Sequence, residues 1–356
     1  MTEIASPAGQ PNPIARGLRM TGVAVVAVVF YLLALWMALS IFGGRTVEAA
    51  FPEALQQTVN ALSIGAIYAL VALGYTMVYG IIELINFAHG DIFMLGAFMS
   101  VVFIGGITGH NEAVKDIPLL VMLLLGALLF SMPIIGLLNA GIERAVYRPL
   151  RNAPRLAPLI TAVGVSFILQ NVALTIAGSG DRKAPQIFPL DWQIPVGGAQ
   201  ISILSIFIFV LSLILMVALQ AFVSRTRLGR AMRATAQDRE AASLMGVDAN
   251  QTIALTFIIG GVLAAAAGLV WGLRFGFVRF DLGFNSGLKA FTAAVLGGIG
   301  NITGAVIGGF IIGFIENFSA ALGYARWSEF LVFVILTLVL IFRPTGILGQ
   351  HTGDRA

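Results

Sequence analysis

The chain contains no cysteine, only three histidines and few charged residues. Among its 356 residues, 11% are Asp, Glu, Lys or Arg. Without cysteine, disulfide scaffolds, thiolate zinc sites, iron–sulfur clusters and cysteine nucleophiles are excluded. A soluble domain carries about a quarter charged residues, so this chain lacks the polar surface that would cover a soluble globule. Lipid must therefore cover most of it.

Apolar residues make up 58% of the chain, and the mean hydropathy is +0.94. A helix of roughly 20 apolar residues crosses a bilayer core of about 30 Å. Seven such runs are bounded by charged residues or Pro/Gly clusters, and two or three more crossings fit between residues 289 and 342. The seven cover 20–42, 57–79, 92–107, 118–140, 157–177, 201–223 and 252–273. The sequence predicts an all-α, polytopic transmembrane bundle of about 8–10 spans.

Arginine predicts the orientation, because cytoplasmic loops carry an excess of basic residues. Loops 141–156 and 224–251 are rich in arginine, whereas the basic residues of loops 108–117 and 178–200 are offset by acids. We expect the first two loops and both termini in the cytoplasm, which requires three crossings in the final third of the chain. The run at 20–42 is predicted to be a retained helix rather than a signal peptide.

Glycine interrupts the last apolar region at Gly297, Gly298 and Gly300, and Asn301 follows where a turn is expected. A break of this kind at membrane depth must be buried in protein or line a wet cavity. The glycines at 300, 304 and 308 also have the spacing of a close-packing helix stripe. Packing is favoured over a role in a transport path, and both readings stay open.

Polar residues form a stripe on the second run. At 100° per residue, Asn60, Tyr68, Tyr75 and Tyr79 fall within about a third of the helix circumference. A polar stripe on a spanning helix faces other helices or a water-filled cavity, and the sequence does not separate these two. Glu316 and Asn317, inside a late apolar run, must also face protein or water.

The segment between the second and third runs contains Glu83, His89 and Asp91 next to the inner face. A proton relay is one reading, since histidine titrates near neutral pH. The favoured reading is a chain turn at the membrane interface, with Asn86 and Asp91 capping helices.

Loop 224–251 is charged yet patterned, and an Ala-rich stretch that ends at Gly246 predicts a short helix. By itself it is equally a solvated face or a docking element. The chain has no G-x-x-x-x-G-K-[ST] motif for ATP and neither H-E-x-x-H nor G-x-S-x-G, which disfavours a membrane enzyme.

Five stretches in collinear order resemble the permease subunits of ABC importers for branched-chain amino acids, of the LivH-like type. They are GYTMVYG and INFAHG (74–90), ER with YRP (143–149), GRAMRATAQDREAASLMG (229–246), KAFTAAVLGGIG (289–300) and RPTGILG (343–349). The resemblance covers residues 53–349. Residues 1–50 are an addition, a leader with an extra transmembrane helix that is a candidate signal anchor, and 350–356 form a tail beyond the permease domain at 51–349.

The resemblance implies that loop 224–251 holds a coupling helix for an ATPase. The residues that it assigns to coupling are Arg230, Arg233, Asp238, Glu240, Ala241, Ala242 and Gly246. Candidates for the translocation path are Asn60, Tyr68, Tyr75, Asn86, Gly297, Gly298 and Gly300.

The implied partners are a second homologous permease chain, two ABC ATPase subunits that hold ATP and Mg, and an extracytoplasmic amino-acid-binding protein. This chain is expected in the bacterial inner membrane, with no catalytic residue, metal or cofactor of its own and no nucleic-acid partner. The cargo is a branched-chain amino acid, another amino acid or a small amide such as urea. An ion-coupled secondary carrier for amino acids or small amides is the alternative, and it would need no ATPase.

Overall fold

The computed structural model describes residues 47–151, 153–154 and 156–349. The expected run at 20–42 and the tail at 350–356 lie outside these residues. The described chain is almost entirely helical. Its α-helices are α1 (Val47–Ile82), α2 (His89–Val101), α3 (Ile117–Ile142), α4 (Leu156–Ala177), α5 (Ile203–Arg225), α6 (Arg227–Gln237), α7 (Arg239–Leu244), α8 (Ala249–Phe275), α9 (Leu282–Gly297), α10 (Ile302–Ala321) and α11 (Ser328–Phe342).

Short strands and other helical turns complete the structure. Strands β1 (Arg182–Lys183) and β4 (Phe277–Val278) pair antiparallel, as do β2 (Gln193–Val196) and β3 (Ala199–Ser202). Helices α2 and α3 continue as π-helical turns over Val102–Ile107 and Glu143–Tyr147, and a 3₁₀ turn at Ala325–Trp327 precedes α11.

In the described part of the chain, eight helices are long and apolar enough to cross a bilayer. They are Phe51–Ile82, His89–Ile107, Ile117–Tyr147, Leu156–Ala177, Ile203–Arg225, Ala249–Phe275, Ile302–Ala321 and Ala325–Phe342. The prediction of an all-α polytopic bundle is confirmed. Helix α9 has 16 residues, about 24 Å of helix, and is shorter than a bilayer core.

Helices α1 and α8 are the most deeply buried spans. Helix α1 packs against α8, α9 and α10. Small residues bring α1 and α10 into backbone contact: a Cβ at Gly309 would lie 2.6 Å from the Ala69 Cα, and one at Gly313 would overlap the Gly65 backbone. The bundle is therefore built around a closely packed central pair of helices.

Several helices extend beyond the apolar runs that predicted them. Helix α1 begins at Val47, ten residues before the predicted start at 57, and α2 begins at His89 rather than 92. The added residues at 47–56 include Glu48, Glu53 and Gln56. Hydropathy identifies only the part of a helix that contacts lipid and must be apolar. The helix itself is longer, because its backbone hydrogen bonds continue beyond the apolar part.

Loops that were predicted on one side of the membrane contact each other. Arg151 donates a 2.6 Å hydrogen bond to Asn250, which joins loop 141–156 to the end of loop 224–251. Lys115 and Asp191 form a 3.3 Å ion pair between loops 108–117 and 178–200. These contacts agree with the predicted alternation of sides.

Candidate functional site

The segment 226–248 folds as two helices: α7 matches the predicted short helix with Asp238 and Glu240 near its start, and α6 before it was not predicted. Asp238 separates α6 from α7 with an extended backbone (φ −156°) and caps α7, because its Oδ1 accepts from the amides of Glu240 (2.9 Å) and Ala241 (3.0 Å). The expected stop is confirmed: α7 ends at Leu244, and Gly246 has a φ of +84°.

Helices α6 and α7 are fixed to the bundle by one face each. Met232 and Thr235 of α6 are buried, and the Arg233 guanidinium donates to the carbonyl of Val223 at the end of α5. Ala242 of α7 is buried, and its carbonyl accepts from the Val247 amide at 3.0 Å. Both short helices are therefore packed against the spans beside them.

The opposite face of α7 is open and ends in two apolar side chains. Leu244 is 87% exposed and Met245 85% exposed, and no atom lies within 4 Å of a Cβ added at Gly246. Of the residues assigned to coupling, Ala242 packs inward. The exposed ones are Arg230, Arg233, Asp238, Glu240, Ala241 and Gly246. Sequence reasoning missed Leu244 and Met245, although an apolar pair just before the stop glycine of a charged loop was visible.

The path candidates on α1 make polar contacts with α8 and α10, and Glu316 of α10 links them to α9. The Tyr68 hydroxyl donates to Glu316 Oε2 at 2.6 Å, and Lys289 Nζ donates to Glu316 Oε1 at 3.0 Å. Asn60 Oδ1 accepts from Arg274 Nη2 at 3.2 Å. The prediction that Glu316 faces protein or water is confirmed, and these contacts tie α1 to α8, α9 and α10.

Tyr75 and Asn86 are buried in side-chain contacts. The Tyr75 ring meets His89 edge-on at 4.8 Å and Phe291 at 5.8 Å between centroids. The Asn86 Oδ1 accepts from the Tyr147 hydroxyl at 2.7 Å. Both groups are inside the bundle.

His89 and Asp91 do not lie at an interfacial turn, and the prediction that Asn86 and Asp91 cap helices is wrong for α2. The side chains of His89 and Asp91 are fully buried, and the residue before α2, Ala88, makes no side-chain cap. His89 packs against Gly74, about 12 Å along α1 from its end at Ile82. After α1 the chain therefore turns back into the bundle before α2 begins.

The predicted glycine break is a tight turn between α9 and α10. Gly298 and Gly300 have φ values of +108° and +88°, and Asn301 Oδ1 caps α10 by accepting from the Gly304 amide at 3.0 Å. A Cβ at Gly297 would overlap the Gly304 carbonyl. The geometry thus supports close packing, and a role of these glycines in a transport path stays a prediction.

Comparison with known proteins identifies the family. Residues 57–340 match the family model described as the permease component of branched-chain amino acid transport systems. No solved structure matches this chain.

Curated relatives agree over most of the chain. A high-affinity branched-chain amino acid transport system permease protein, BraD of Pseudomonas aeruginosa, is 43% identical over 83% of this chain and 96% of its own length. LivH of Escherichia coli, described in the same words, is 42% identical over the same shares. A probable LivH of Methanocaldococcus jannaschii is 27% identical over 82% of this chain and 91% of its own length. The chain therefore belongs to the family of permease components of branched-chain amino acid transport systems.

Proposed function

We propose that this chain is the membrane-spanning subunit of an ATP-driven importer that carries branched-chain or related small amino acids into the cytoplasm. Its proposed partners are a second permease chain, two ATPase subunits that bind ATP and Mg, and an extracytoplasmic binding protein, all at a bacterial inner membrane. The descriptions of the BraD and LivH relatives support this proposal. Residues 51–349 are the proposed permease domain, after a leader at 1–50.

The observation that carries the ATPase proposal is the exposed apolar pair on α7. Leu244 and Met245 lie on a charged loop, outside the spans, and almost all of their surface is open. Burial of a Leu or Met side chain contributes about 1.5–3 kcal/mol, and an exposed apolar tip rimmed by polar residues is typical of a docking surface. Because Ala242 and α6 hold the helix to the bundle, a partner bound there could move the spans as a rigid lever.

The proposed path follows the polar face of α1. A zwitterionic amino acid needs a cationic group for its carboxylate and an acceptor for its ammonium. Arg274 and Lys289 supply cations beside Asn60 and Tyr68, and Glu316 supplies a carboxylate. In the described conformation Asn60 is bound by Arg274, and Glu316 is bound by Tyr68 and Lys289, so the path opens only when α9 or α10 moves. The turn at Gly297, Gly298 and Gly300 is the proposed pivot.

Arg274→Gln tests the path. The Arg274 Nε is buried without a hydrogen-bond partner, whereas Arg279 forms an exposed pair with Asp281. If Arg274 meets the cargo carboxylate, its loss should lower the uptake rate by roughly tenfold or more, since a charge-assisted hydrogen bond is worth about 1.5–3 kcal/mol. Arg279→Gln is the matched control and should keep wild-type uptake. Equal uptake by both variants in reconstituted vesicles would remove Arg274 from the path.

The proposed function is tested on the complex from its native membrane. Tagged chain is purified in mild detergent, and co-purifying proteins are identified by mass spectrometry. We expect P-loop ATPases and a second permease, and ATP-dependent uptake of labelled leucine, isoleucine or valine once vesicles receive the binding protein. A homo-oligomer alone that takes up amino acid down an ion gradient would contradict the proposal.

A further inference from the structure

A fully buried carboxylate lies where α3 ends on the loop 141–156 side of the bundle. The Glu143 side chain has no exposed surface. Its Oε2 accepts from Arg148 Nη2 at 3.0 Å, and its Oε1 accepts from Arg151 Nη2. A buried ion pair with hydrogen bonds on both oxygens is held in one geometry, so Glu143 fixes both arginines relative to α3.

Arg151 connects this carboxylate to the downstream end of the proposed coupling segment, residues 226–248. While one arm of its guanidinium binds Glu143, the Nη1 of the other donates to Asn250 Oδ1 at 2.6 Å. Asn250 lies in the first turn of α8, four residues after Gly246, and its amide is bound by the Asp248 cap at 2.8 Å. The end of the segment that carries α7 is thereby tied to α3.

Arg239 connects the upstream end to the central helix. It is the first residue of α7, and its Nη2 donates to the Ile81 carbonyl in the last turn of α1 at 3.3 Å. Burial lowers the pKa of the Arg151 guanidinium, Glu143 raises it, and the charges of Arg148 and Arg239 lower it further. The segment that carries α7 is thus tied to α1 at its upstream end and to α3 at its downstream end.

We infer that the Glu143–Arg151 ion pair is the link through which displacement of α7 reaches α3, with Glu143 and Arg151 acting as positioning residues for transport. The inference rests on the proposed function, because it assumes that an ATPase moves α7. Because Arg151 binds the Glu143 carboxylate and the Asn250 side chain at the same time, the pair fixes both the distance and the angle between α3 and α8. Loss of the pair should therefore leave α7 able to bind a partner while less of its motion arrives at the spans.

Glu143→Gln tests this in the assembled transporter, reconstituted in vesicles with its co-purified subunits. The readout is the number of ATP molecules hydrolysed per amino acid imported. We expect ATPase subunits to co-purify as in the wild type, hydrolysis to stay within about twofold, and uptake to fall about tenfold, so that the ratio rises by roughly fivefold or more. Glu143→Asp, which keeps the charge, should restore part of the uptake. Asp191→Asn breaks the exposed Lys115–Asp191 pair between the two loops predicted outside and should leave the ratio unchanged.

Asn250→Ala keeps the test decisive if Glu143→Gln does not fold. Asn250 is exposed, and this change cuts only the arm of Arg151 that reaches α8. We expect a smaller rise of the ratio, about twofold. A wild-type ratio in a folded, assembled Asn250→Ala complex would overturn the inference, as would an unchanged ratio in Glu143→Gln. Failure of the proposed function is seen separately, because the wild-type chain would then recover no ATPase at all.

Discussion

Gly313→Leu is expected to remove folded permease from the membrane. Gly313 lies in α10, and a Cβ there would overlap the backbone of Gly65 in α1. A leucine cannot be accommodated by a rotamer change, so α10 would have to move away from the central helix. Overpacking costs about 1–3 kcal/mol where side chains can yield, and more is expected where only backbone is available to move. Size-exclusion chromatography of a fluorescent fusion, with and without heating, measures the loss.

Gly164→Leu is the matched control for this change. Gly164 is also in the middle of a spanning helix, α4, but no atom lies within 4 Å of a Cβ added there. The same substitution then adds apolar surface without displacing a neighbour, and we expect wild-type yield and melting temperature. If the Gly313→Leu variant has the same melting temperature as the Gly164→Leu variant, the α1–α10 contact does not hold the bundle together.

The second large effect is expected for Gly246→Asp at the end of the coupling segment. Gly246 has a φ of +84° with open space around it, so an added side chain costs about 1 kcal/mol of backbone strain and meets no atom. Folding and insertion should therefore survive. The new carboxylate would lie beside Leu244 and Met245, where a docked partner would bury it at a cost of about 2–5 kcal/mol. We expect roughly 30-fold weaker ATPase binding and loss of ATP-driven uptake.

Gly323→Asp separates this effect from backbone strain. Gly323 has a φ of +83°, and no atom lies within 4 Å of an added Cβ, yet it follows α10 at the opposite end of the bundle from the coupling segment. Both substitutions introduce the same backbone strain, so only the Gly246→Asp variant should lose the ATPase in co-purification. Full ATP-driven uptake by the Gly246→Asp variant would contradict the assignment of α7 as a coupling helix.

Sequence periodicity was enough to predict which side chains avoid lipid. The stripe of Asn60, Tyr68 and Tyr75 follows from 100° per residue, and the structure places it against protein. The partners could not be predicted, because Glu316 is 248 residues from Tyr68 in sequence. Whether such contacts line a transport path depends on how the closed and open conformations differ. The position of a residue around the helix axis contains no information about that difference.

The position of His89 shows where hydropathy fails. A short polar segment after an apolar run is read as an interfacial turn, since charge near lipid is costly. Here Gly74 leaves space for the imidazole, and the chain turns back so that polar side chains enter the protein interior. The close packing depends on which residues of α2 and α8 face Gly74. A hydropathy window along one helix therefore could not predict it. The split of the coupling segment at Asp238 was missed because an Ala-rich sequence is helical on both sides of one cap residue.

The shortness of α9 has a consequence for how the chain is made. With about 24 Å of helix and Lys289 within it, α9 is too short and too polar to partition into lipid unaided. Helix α10, its neighbour in sequence, is the least apolar of the eight spans described above. Their backbones touch where Gly304 meets Gly297 and where Gly308 meets Ala293. We therefore expect the two helices to enter the bilayer together, as a hairpin, rather than one after the other.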